Sequence, residues 1–144
     1  MIHTYQFTLK RIKDGDSLVG DIDLGMRVWM HDQDIRLFAI YTPEIRPVKG
    51  DKDLKRYGLT VKKYLEDNLV IGNVYTIKTY KDTRGKFGRI LAKIYHKGLS
   101  RRCLNEELVI QNMAVPYGGE SRAEIHKAHK TNLKQFLKAG GILI

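Results

Sequence analysis

The order of its strand-like and helix-like segments constrains the fold of this chain more than any other feature. Three strand-like segments come first, at residues 4–12, 17–24 and 26–40, and the third should bend near residues 31–33. Turn sequences at residues 13–16 and 24–25 separate the three segments. Connections this short favour antiparallel pairing, so the segments are predicted to form a three-stranded meander.

The rest of the chain adds helices and further strands. Thr42-Pro43 ends the first strand run, because proline cannot donate to a sheet and restricts the residue before it. Residues 44–52 are predicted to be a surface loop, and residues 53–69 a helix whose apolar residues recur every three or four positions. Two strands and two helices follow, at residues 74–80, at 90–95, at about 102–112, and from the cap Ser121 to the stop Gly140. One apolar face of the last helix is predicted to consist of Ile125, His129, Leu133, Phe136 and Leu137.

Strands, a helix, strands and two helices in this order define an α+β chain. Five short strands with a helix between the third and fourth favour a five-stranded, partly open OB-fold β-barrel, here with three α-helices. No repeat or linker divides the sequence, so residues 1–144 are predicted to form a single domain. OB-folds commonly bind oligonucleotides, although a fold alone does not establish a function.

The charge of the chain indicates a class of partner. Lys and Arg number 26 against 16 Asp and Glu, which gives a net charge of +10. Such a surplus attracts polyanions, with nucleic acid first and an anionic membrane surface second, while a basic surface without any partner is the third reading.

Other features of the sequence limit the cellular setting. No segment has the apolar length of a membrane span, and the N-terminal residues lack the apolar core of a secretory signal. Cys103 is the only cysteine, which excludes an internal disulfide and fits a reducing cytoplasm. We therefore expect a cytoplasmic monomer without a membrane partner or an obligate protein partner.

Two clusters of polar residues stand out in the first strands. The first is the tight turn Asp14-Gly15-Asp16-Ser17, and the second is Arg36, which interrupts an otherwise apolar strand. A buried arginine is costly unless an anion meets it. Strand alternation alone leaves an outward-facing arginine equally open, and Asp-Gly turns are often purely structural.

Two more clusters follow the third strand and open the fifth. Tyr41-Thr42-Pro43-Glu44 positions a carboxylate directly after a strand, where it can act as a general base. Lys86-Phe87-Gly88-Arg89, in the charged loop predicted at residues 81–89, combines cations that suit phosphate with a glycine that permits close approach of a ligand. Lysine-rich loops are more often simply solvated, so this cluster is a weak signal by itself.

In their order and spacing, the four clusters together resemble the signature of the staphylococcal nuclease family. That signature reads Asp-Gly-Asp-Ser, then Arg-Leu-x-x-Ile-x-Thr-Pro-Glu, then Lys-Phe-Gly-Arg. The resemblance continues through Asp23-Leu24-Gly25, Tyr57-Gly58 and residues 104–109 and 113–117, and it covers the chain from about residue 5 to residue 137. Members of the family have an OB-fold barrel with three helices, in agreement with the fold class predicted above.

The resemblance implies a calcium-dependent nuclease that cuts DNA or RNA at phosphodiester bonds with little sequence specificity. An endonuclease acting on single-stranded nucleic acid is expected, with another divalent cation as the alternative to Ca²⁺. Carried over residue by residue, Asp16 would be a carboxylate ligand of the metal and Thr42 a ligand through its backbone carbonyl. Asp14 would lie next to these ligands without contacting the metal itself.

The same resemblance assigns three residues to the chemistry. Glu44 would position and deprotonate the attacking water, while Arg36 and Arg89 would hold the scissile phosphate. These roles are physically reasonable, because attack on a phosphodiester builds negative charge on oxygens that two guanidinium groups can meet bidentately.

Three residues correspond to family positions beside the bound nucleotide. They are Lys86, Phe87 and Tyr117. Phe87 stands where the family often has a tyrosine, so stacking is retained while a hydroxyl hydrogen bond is lost. Pro116 disturbs the alignment at Tyr117, and an ordinary surface tyrosine is the alternative reading there.

Tyr41 is the main departure from the family pattern, because the family usually has a second metal-binding aspartate at this position. A phenol is neutral at pH 7 and a poor ligand for Ca²⁺. Two hypotheses therefore stay open. The chain is either a nuclease with a weakened metal site, which the set of Arg36, Glu44 and Arg89 favours, or a catalytically inactive OB-fold module that binds nucleic acid or a protein.

Overall fold

The computed structural model describes residues 3–46, 51–80 and 89–144 of the chain. Parts of two predicted loops, residues 47–50 and 81–88, therefore lie outside the described residues. In chain order the described elements are β1 (His3–Asp14), β2 (Ser17–Gly25), β3 (Val28–Leu37), β4 (Ile40–Tyr41), α1 (Lys52–Asn68), β5 (Val74–Tyr80), β6 (Arg89–Tyr95), α2 (Leu104–Ile110), β7 (Val115–Pro116) and α3 (Arg122–Lys138).

Five of these strands form a barrel in the order β1-β2-β3-β6-β5. The predicted meander of β1, β2 and β3 is confirmed, since both of its pairings are antiparallel. β1 also pairs with β5, so the barrel is closed rather than partly open. β3 and β6 run parallel, which is possible because α1 and β5 lie between them in the chain. The α+β class with an OB-type barrel and three helices is confirmed.

The strand predicted at residues 26–40 is wrong at both ends. Met26 and Arg27 have positive φ angles of 54° and 65° and form the turn between β2 and β3. β3 ends before Ala39, whose φ of 64° turns the chain. β4 then pairs with β7 in a separate two-stranded sheet that the sequence analysis did not predict. The bend expected near residues 31–33 is present, because the pairing of β3 with β2 shifts register there.

The three helices begin and end near the predicted residues. α1 starts after Asp51, whose side chain accepts a hydrogen bond from the Leu54 backbone N–H. α3 starts after Ser121, whose hydroxyl caps Glu124 as predicted. α2 is shorter than expected at both ends. Leu137, predicted on the apolar face of α3, is 47% exposed.

The hydrophobic core fills the barrel and continues between the barrel and the helices. Its largest side chains with almost no exposure are Tyr57, Phe7, Leu9, Leu18, Ile22, Ile35, Leu37, Leu65, Ile77, Ile94, Leu104 and Leu108. Among the described helices, none combines the length and apolarity needed to cross a membrane.

Helix α1 packs closely against the turn that follows β4. A Cβ atom at Gly58 would lie 2.7 Å from the backbone oxygen of Glu44 and 2.8 Å from that of Pro43. Contacts this short do not occur for real side chains, so only glycine allows the helix to approach the turn this closely. The position of Glu44 therefore depends on the absence of a side chain at Gly58 of α1.

Replacing Gly58 with alanine should destabilise the protein. The added methyl group must displace the backbone of Pro43 and Glu44, and overpacking of this kind typically costs about 1–3 kcal/mol. Alanine is favoured over glycine inside a helix by about 1 kcal/mol, which offsets part of the loss. Urea unfolding of Gly58→Ala should therefore show a lower free energy of unfolding than the parent.

Gly118→Ala is the matched control. The nearest atom to its added Cβ is a side-chain oxygen of Glu120 at 3.4 Å, which can move. This variant should unfold at nearly the same urea concentration as the parent. Equal stability of the two alanine variants would contradict the packing argument at Gly58.

Candidate active site

An open cleft of about 500 Å³ lies at one end of the barrel. The turn between β1 and β2, the end of β3, the segment after β4 and the start of β6 meet there. The cleft brings together every described residue for which the sequence predicted a metal or catalytic role: Asp14, Asp16, Arg36, Thr42, Glu44 and Arg89.

The register of the barrel explains why residues distant in sequence meet in this cleft. Arg36 on β3 pairs with Ser17 on β2 and with Leu91 on β6. Asp16 directly precedes Ser17, and Arg89 lies two residues before Leu91. Since side chains two residues apart on a strand share a face, the register directs both arginines to the same end of the barrel.

Asp16 is 8% exposed, and its carboxylate has partners from three parts of the chain. Oδ2 accepts a hydrogen bond from the Thr42 backbone N–H at 3.3 Å and lies 3.4 Å from Nη1 of Arg36. Oδ1 accepts from the Ser17 hydroxyl at 3.3 Å. Asp14 supports this turn, because its Oδ1 accepts from the Asp16 backbone N–H at 3.1 Å.

Burial raises the pKa of the Asp16 carboxyl from 3.8 to about 7, because desolvation penalises its charged form. The positive charge of Arg36 opposes this shift, whereas the neighbouring Asp14 adds to it. A carboxylate in this environment gains stability from any further positive charge placed beside it.

Arg36 is 7% exposed, which excludes the outward-facing alternative. Its Nη1 donates to the Leu37 carbonyl and its Nη2 to the Ile40 carbonyl, both at 3.1 Å. Asp16 provides the counter-charge. The guanidinium carbon also lies 4.8 Å from the centre of the Tyr41 ring, within the range of a cation–π contact. The side chain is therefore held in one orientation at the floor of the cleft.

Glu44 and Arg89 are more accessible than Asp16 and Arg36. Glu44 is exposed in the turn that packs against Gly58, and Arg89 is half-buried at the first position of β6. An exposed carboxylate and a partly exposed guanidinium can reach a ligand bound in the cleft without first breaking a buried contact.

Tyr41 forms an aromatic wall and does not replace the missing carboxylate. Its ring is half-buried, with the Tyr117 ring at 5.3 Å and the His129 ring at 6.1 Å, both in edge-on orientation. Tyr117 is not among the described residues that line the cleft, but its ring contacts that of Tyr41, which does line it. The predicted nucleotide-binding residues Lys86 and Phe87 lie outside the described residues.

Sequence analysis missed several cationic residues of the cleft. Lys13, Arg46 and Lys62 also line it, so that, among the residues that the structure describes, five Lys or Arg side chains surround three carboxylates. The net charge of +10 predicted a polyanion but gave no position for it. The order of the strands was needed to place these cations, because Lys62 belongs to α1 and Lys13 to β1.

His129 on α3 was predicted only as part of an apolar helix face, but it is the most unusual polar residue near the cleft. It is 5% exposed, and neither ring nitrogen has a hydrogen-bond partner within the part of the chain that the structure describes. Burial, together with a smaller contribution from the neighbouring His126, lowers the pKa of its imidazole from 6.5 to about 4. The ring is therefore neutral at neutral pH.

The oxygen atoms of the cleft fit a hard divalent cation, although with few charges. Across residues 3–46, 51–80 and 89–144, no three His, Cys, Asp or Glu side chains converge as a metal-binding group. The cleft offers instead the carboxylates of Asp16 and Asp14 and the oxygens of Thr42, which are donors that calcium prefers. A cation there would also offset the penalty that burial imposes on charged Asp16.

Comparison with known proteins establishes the class to which this barrel and cleft belong. The family model of the staphylococcal nuclease homologues matches residues 34–139, about three-quarters of the sequence. The chain therefore belongs to the staphylococcal nuclease homologue family, which confirms the resemblance seen in its motifs. The match contains Arg36, Glu44 and Arg89, whereas Asp16 lies before it. A search of curated proteins gave no significant match.

The buried imidazole of His129 should make the fold sensitive to acid. The unfolded ring takes up a proton near pH 6.5 and the folded ring only near pH 4, so stability is lost as the pH falls between these values. At pH 5 this one residue should cost about 2 kcal/mol relative to pH 7. His129→Phe should remove that part of the acid dependence.

The test is urea unfolding of both proteins at pH 7 and pH 5. The free energy of unfolding should fall more steeply on acidification in the parent than in His129→Phe. Because the other titratable groups are common to both proteins, their contributions cancel in the comparison. Parallel pH profiles would show that His129 takes up its proton normally in the folded protein.

Proposed function

We propose that the protein is a metal-dependent nuclease that hydrolyses phosphodiester bonds of DNA or RNA with little sequence specificity. The observation that carries this proposal is the juxtaposition of an accessible carboxylate, Glu44, with two guanidinium groups, Arg36 and Arg89, in one cleft. A carboxylate can accept a proton from water, and guanidinium groups bind phosphate, so the cleft contains both parts needed for hydrolysis.

In this proposal, Glu44 orients a water molecule and accepts its proton as the water oxygen attacks phosphorus. The new bond joins that oxygen to phosphorus, while the bond between phosphorus and the leaving sugar oxygen breaks. The leaving oxygen takes a proton from solvent or from the protonated carboxyl. The exposure of Glu44 supports the role, because the group must reach both water and substrate.

Arg36 and Arg89 bind the phosphate and stabilise the negative charge that develops on its non-bridging oxygens. The fixed orientation of Arg36 supports this role, because a preorganised donor costs no rearrangement during the reaction. Arg89 has more freedom at the start of its strand and can follow the phosphate as it changes geometry.

Asp16 and the backbone carbonyl of Thr42 would hold the divalent cation, proposed to be Ca²⁺, with Asp14 beside them. When bound, the cation adds positive charge next to the phosphate and makes water easier to deprotonate. The surplus of cations among the described residues of the cleft supports binding of a phosphate backbone. On the family resemblance alone, Lys86, Phe87 and Tyr117 are proposed to contact the nucleotide. Single-stranded substrate, endonucleolytic cleavage and a monomeric cytoplasmic protein remain part of the proposal.

A second candidate function is an inactive module that binds nucleic acid. Tyr41 favours this candidate, because its ring occupies a position at which a carboxylate would strengthen the metal site. The two candidates differ in one measurement, which is cleavage of single-stranded DNA and RNA in Ca²⁺, in Mg²⁺ and in EDTA. Absence of metal-dependent cleavage up to tens of millimolar metal would leave only the binding module.

Glu44→Gln should abolish most cleavage while it leaves affinity for nucleic acid nearly unchanged. The amide keeps the shape of the side chain but cannot accept the proton of water, and general-base catalysis typically contributes about 10²–10⁴-fold. The rate is measured on single-stranded DNA with Ca²⁺, and the affinity by fluorescence anisotropy in EDTA.

Glu66→Gln is the matched control, because Glu66 is an exposed carboxylate on α1 that does not line the cleft. This variant should cleave at the parental rate. A Glu44→Gln protein as active as this control would assign the general base to another residue.

Tyr41→Asp should tighten metal binding and raise cleavage at low metal concentration. Calcium affinity follows the number and charge of oxygen ligands, and the change adds a carboxylate next to Thr42. Loss of the half-buried ring, which packs on Arg36 and Tyr117, should lower the melting temperature in EDTA. Isothermal titration calorimetry with Ca²⁺ measures the gain in metal affinity.

The control is Tyr41→Asn, which removes the same ring without adding a charge. It should lose stability as the aspartate variant does, without gaining affinity for Ca²⁺. Equal calcium affinities of the two folded variants would mean that position 41 does not adjoin a metal site.

A further inference from the structure

A second, smaller cavity adjoins the cleft and has no role in the mechanism proposed above. It lies between the segment after β4, the start of α1 and the start of α3. Its walls are mainly apolar and come from Pro43, Leu54, Ile125 and the ring of Tyr41. The cavity measures about 100 Å³, less than the enclosed cavity of about 150 Å³ that holds benzene. It is partly open to solvent, however, so a flat ring can enter it in part and extend beyond its mouth.

His129 gives this cavity a polar group that the fold itself does not use. Both of its ring nitrogens are buried and lack hydrogen-bond partners among the described residues. Buried polar atoms are nearly always paired in native proteins, and leaving one unpaired costs stability. The ring lines the cavity, and a rotation of the side chain that turns one nitrogen toward it would let a bound ligand supply the missing partner. A neutral imidazole offers one donor and one acceptor.

The cavity and the cleft share part of their walls. Tyr41, Pro43 and Glu44 line both, so a single molecule can occupy the two spaces at once. The guanidinium carbon of Arg36 lies 4.8 Å from the centre of the Tyr41 ring, and the centre of the His129 ring lies 6.1 Å from the same point. A phosphate bound by Arg36 would therefore lie one aromatic ring away from the cavity. Arg122, which also lines the cavity, adds a positive charge suited to a further phosphate.

We propose that the cavity is a base-binding subsite, which receives the nucleobase of one of the two nucleotides joined by the scissile phosphate. The inference rests on the proposed nuclease function. A nucleobase is a flat ring with apolar faces for Tyr41 and Ile125 and with donors and acceptors along its edge for His129. The subsite orients the substrate strand across Glu44 and excludes water from one side of that carboxylate.

The experiment is an NMR titration of the protein with the thymidine dinucleotide, whose single internucleotide phosphate fixes the binding register. Two further dinucleotides lack the base on the 5′ or on the 3′ nucleotide. Titrations in EDTA and in Ca²⁺ follow the guanidinium signals of Arg36 and Arg89, the ring signals of His129 and the methyl signals of Ile125. Phosphorus NMR checks that the dinucleotide stays intact.

The full dinucleotide should shift the signals of both the arginines and His129. One of the two abasic dinucleotides should still shift the arginine signals but not those of His129, and should bind about 3–10-fold more weakly, as loss of one hydrogen bond and its packing predicts. His129→Phe should weaken binding of the full dinucleotide by a similar factor. That variant should bind the abasic dinucleotide as the parent does, because both changes remove the same contact.

Leu133→Phe is the control variant, since Leu133 lies on α3 outside the cavity. It should bind all three dinucleotides as the parent does. Arginine signals that shift while those of His129 and Ile125 stay fixed would overturn the base subsite and leave the proposed nuclease intact. The proposal would also be overturned if His129→Phe and removal of the base each lowered the affinity and their effects added together, since they would then remove different contacts. If neither group of signals shifts, phosphate binding in the cleft fails, and the subsite fails with it.

Discussion

The arrangement of the cleft depends on the buried guanidinium of Arg36. Its hydrogen bonds to the Leu37 and Ile40 carbonyls hold the turn at Ala39, where β3 passes into β4. Asp16, in the turn directly before β2, pairs with the same group and accepts a hydrogen bond from the Thr42 backbone N–H. One buried charge therefore fixes three segments relative to each other. Buried ion pairs contribute little net stability, and the raised pKa of Asp16 shows that burial of this carboxylate is costly.

Most of the fold could be predicted from the sequence because local signals agree with it. The alternation in the first strands, the cap at Ser121 and the spacing of Leu54, Tyr57 and Val61 each define an element by itself. The strand predicted at residues 26–40 failed because nothing in the composition of that segment marks the turn at Ala39. Alanine rarely adopts a positive φ, and it does so here through tertiary contacts, since β4 pairs with a strand far along the chain.

Some residues of the candidate site could likewise be predicted from local sequence motifs, whereas others become recognisable only in the folded structure. The resemblance of four short motifs to the staphylococcal nuclease family was enough to name Asp16, Arg36, Glu44 and Arg89 as candidate site residues. The sequence did not predict the cavity next to Tyr41, because His129 has the same helical spacing as an ordinary core residue. What distinguishes His129 is the absence of a hydrogen-bond partner among the described residues, and that property exists only once α3 has packed against α1.

The parallel pairing of β3 with β6 has a consequence for the nascent chain. Arg36 and Arg89 reach the same cleft only after this ladder forms, and the whole of α1 and β5 must be synthesised and folded between them. Pairings between distant segments form late, because the entropy of closing the loop must be overcome first. A ribosome-bound fragment that ends before β6 therefore lacks the second arginine altogether. The cleft is therefore complete only once the barrel has closed, which is after β6 has left the ribosome.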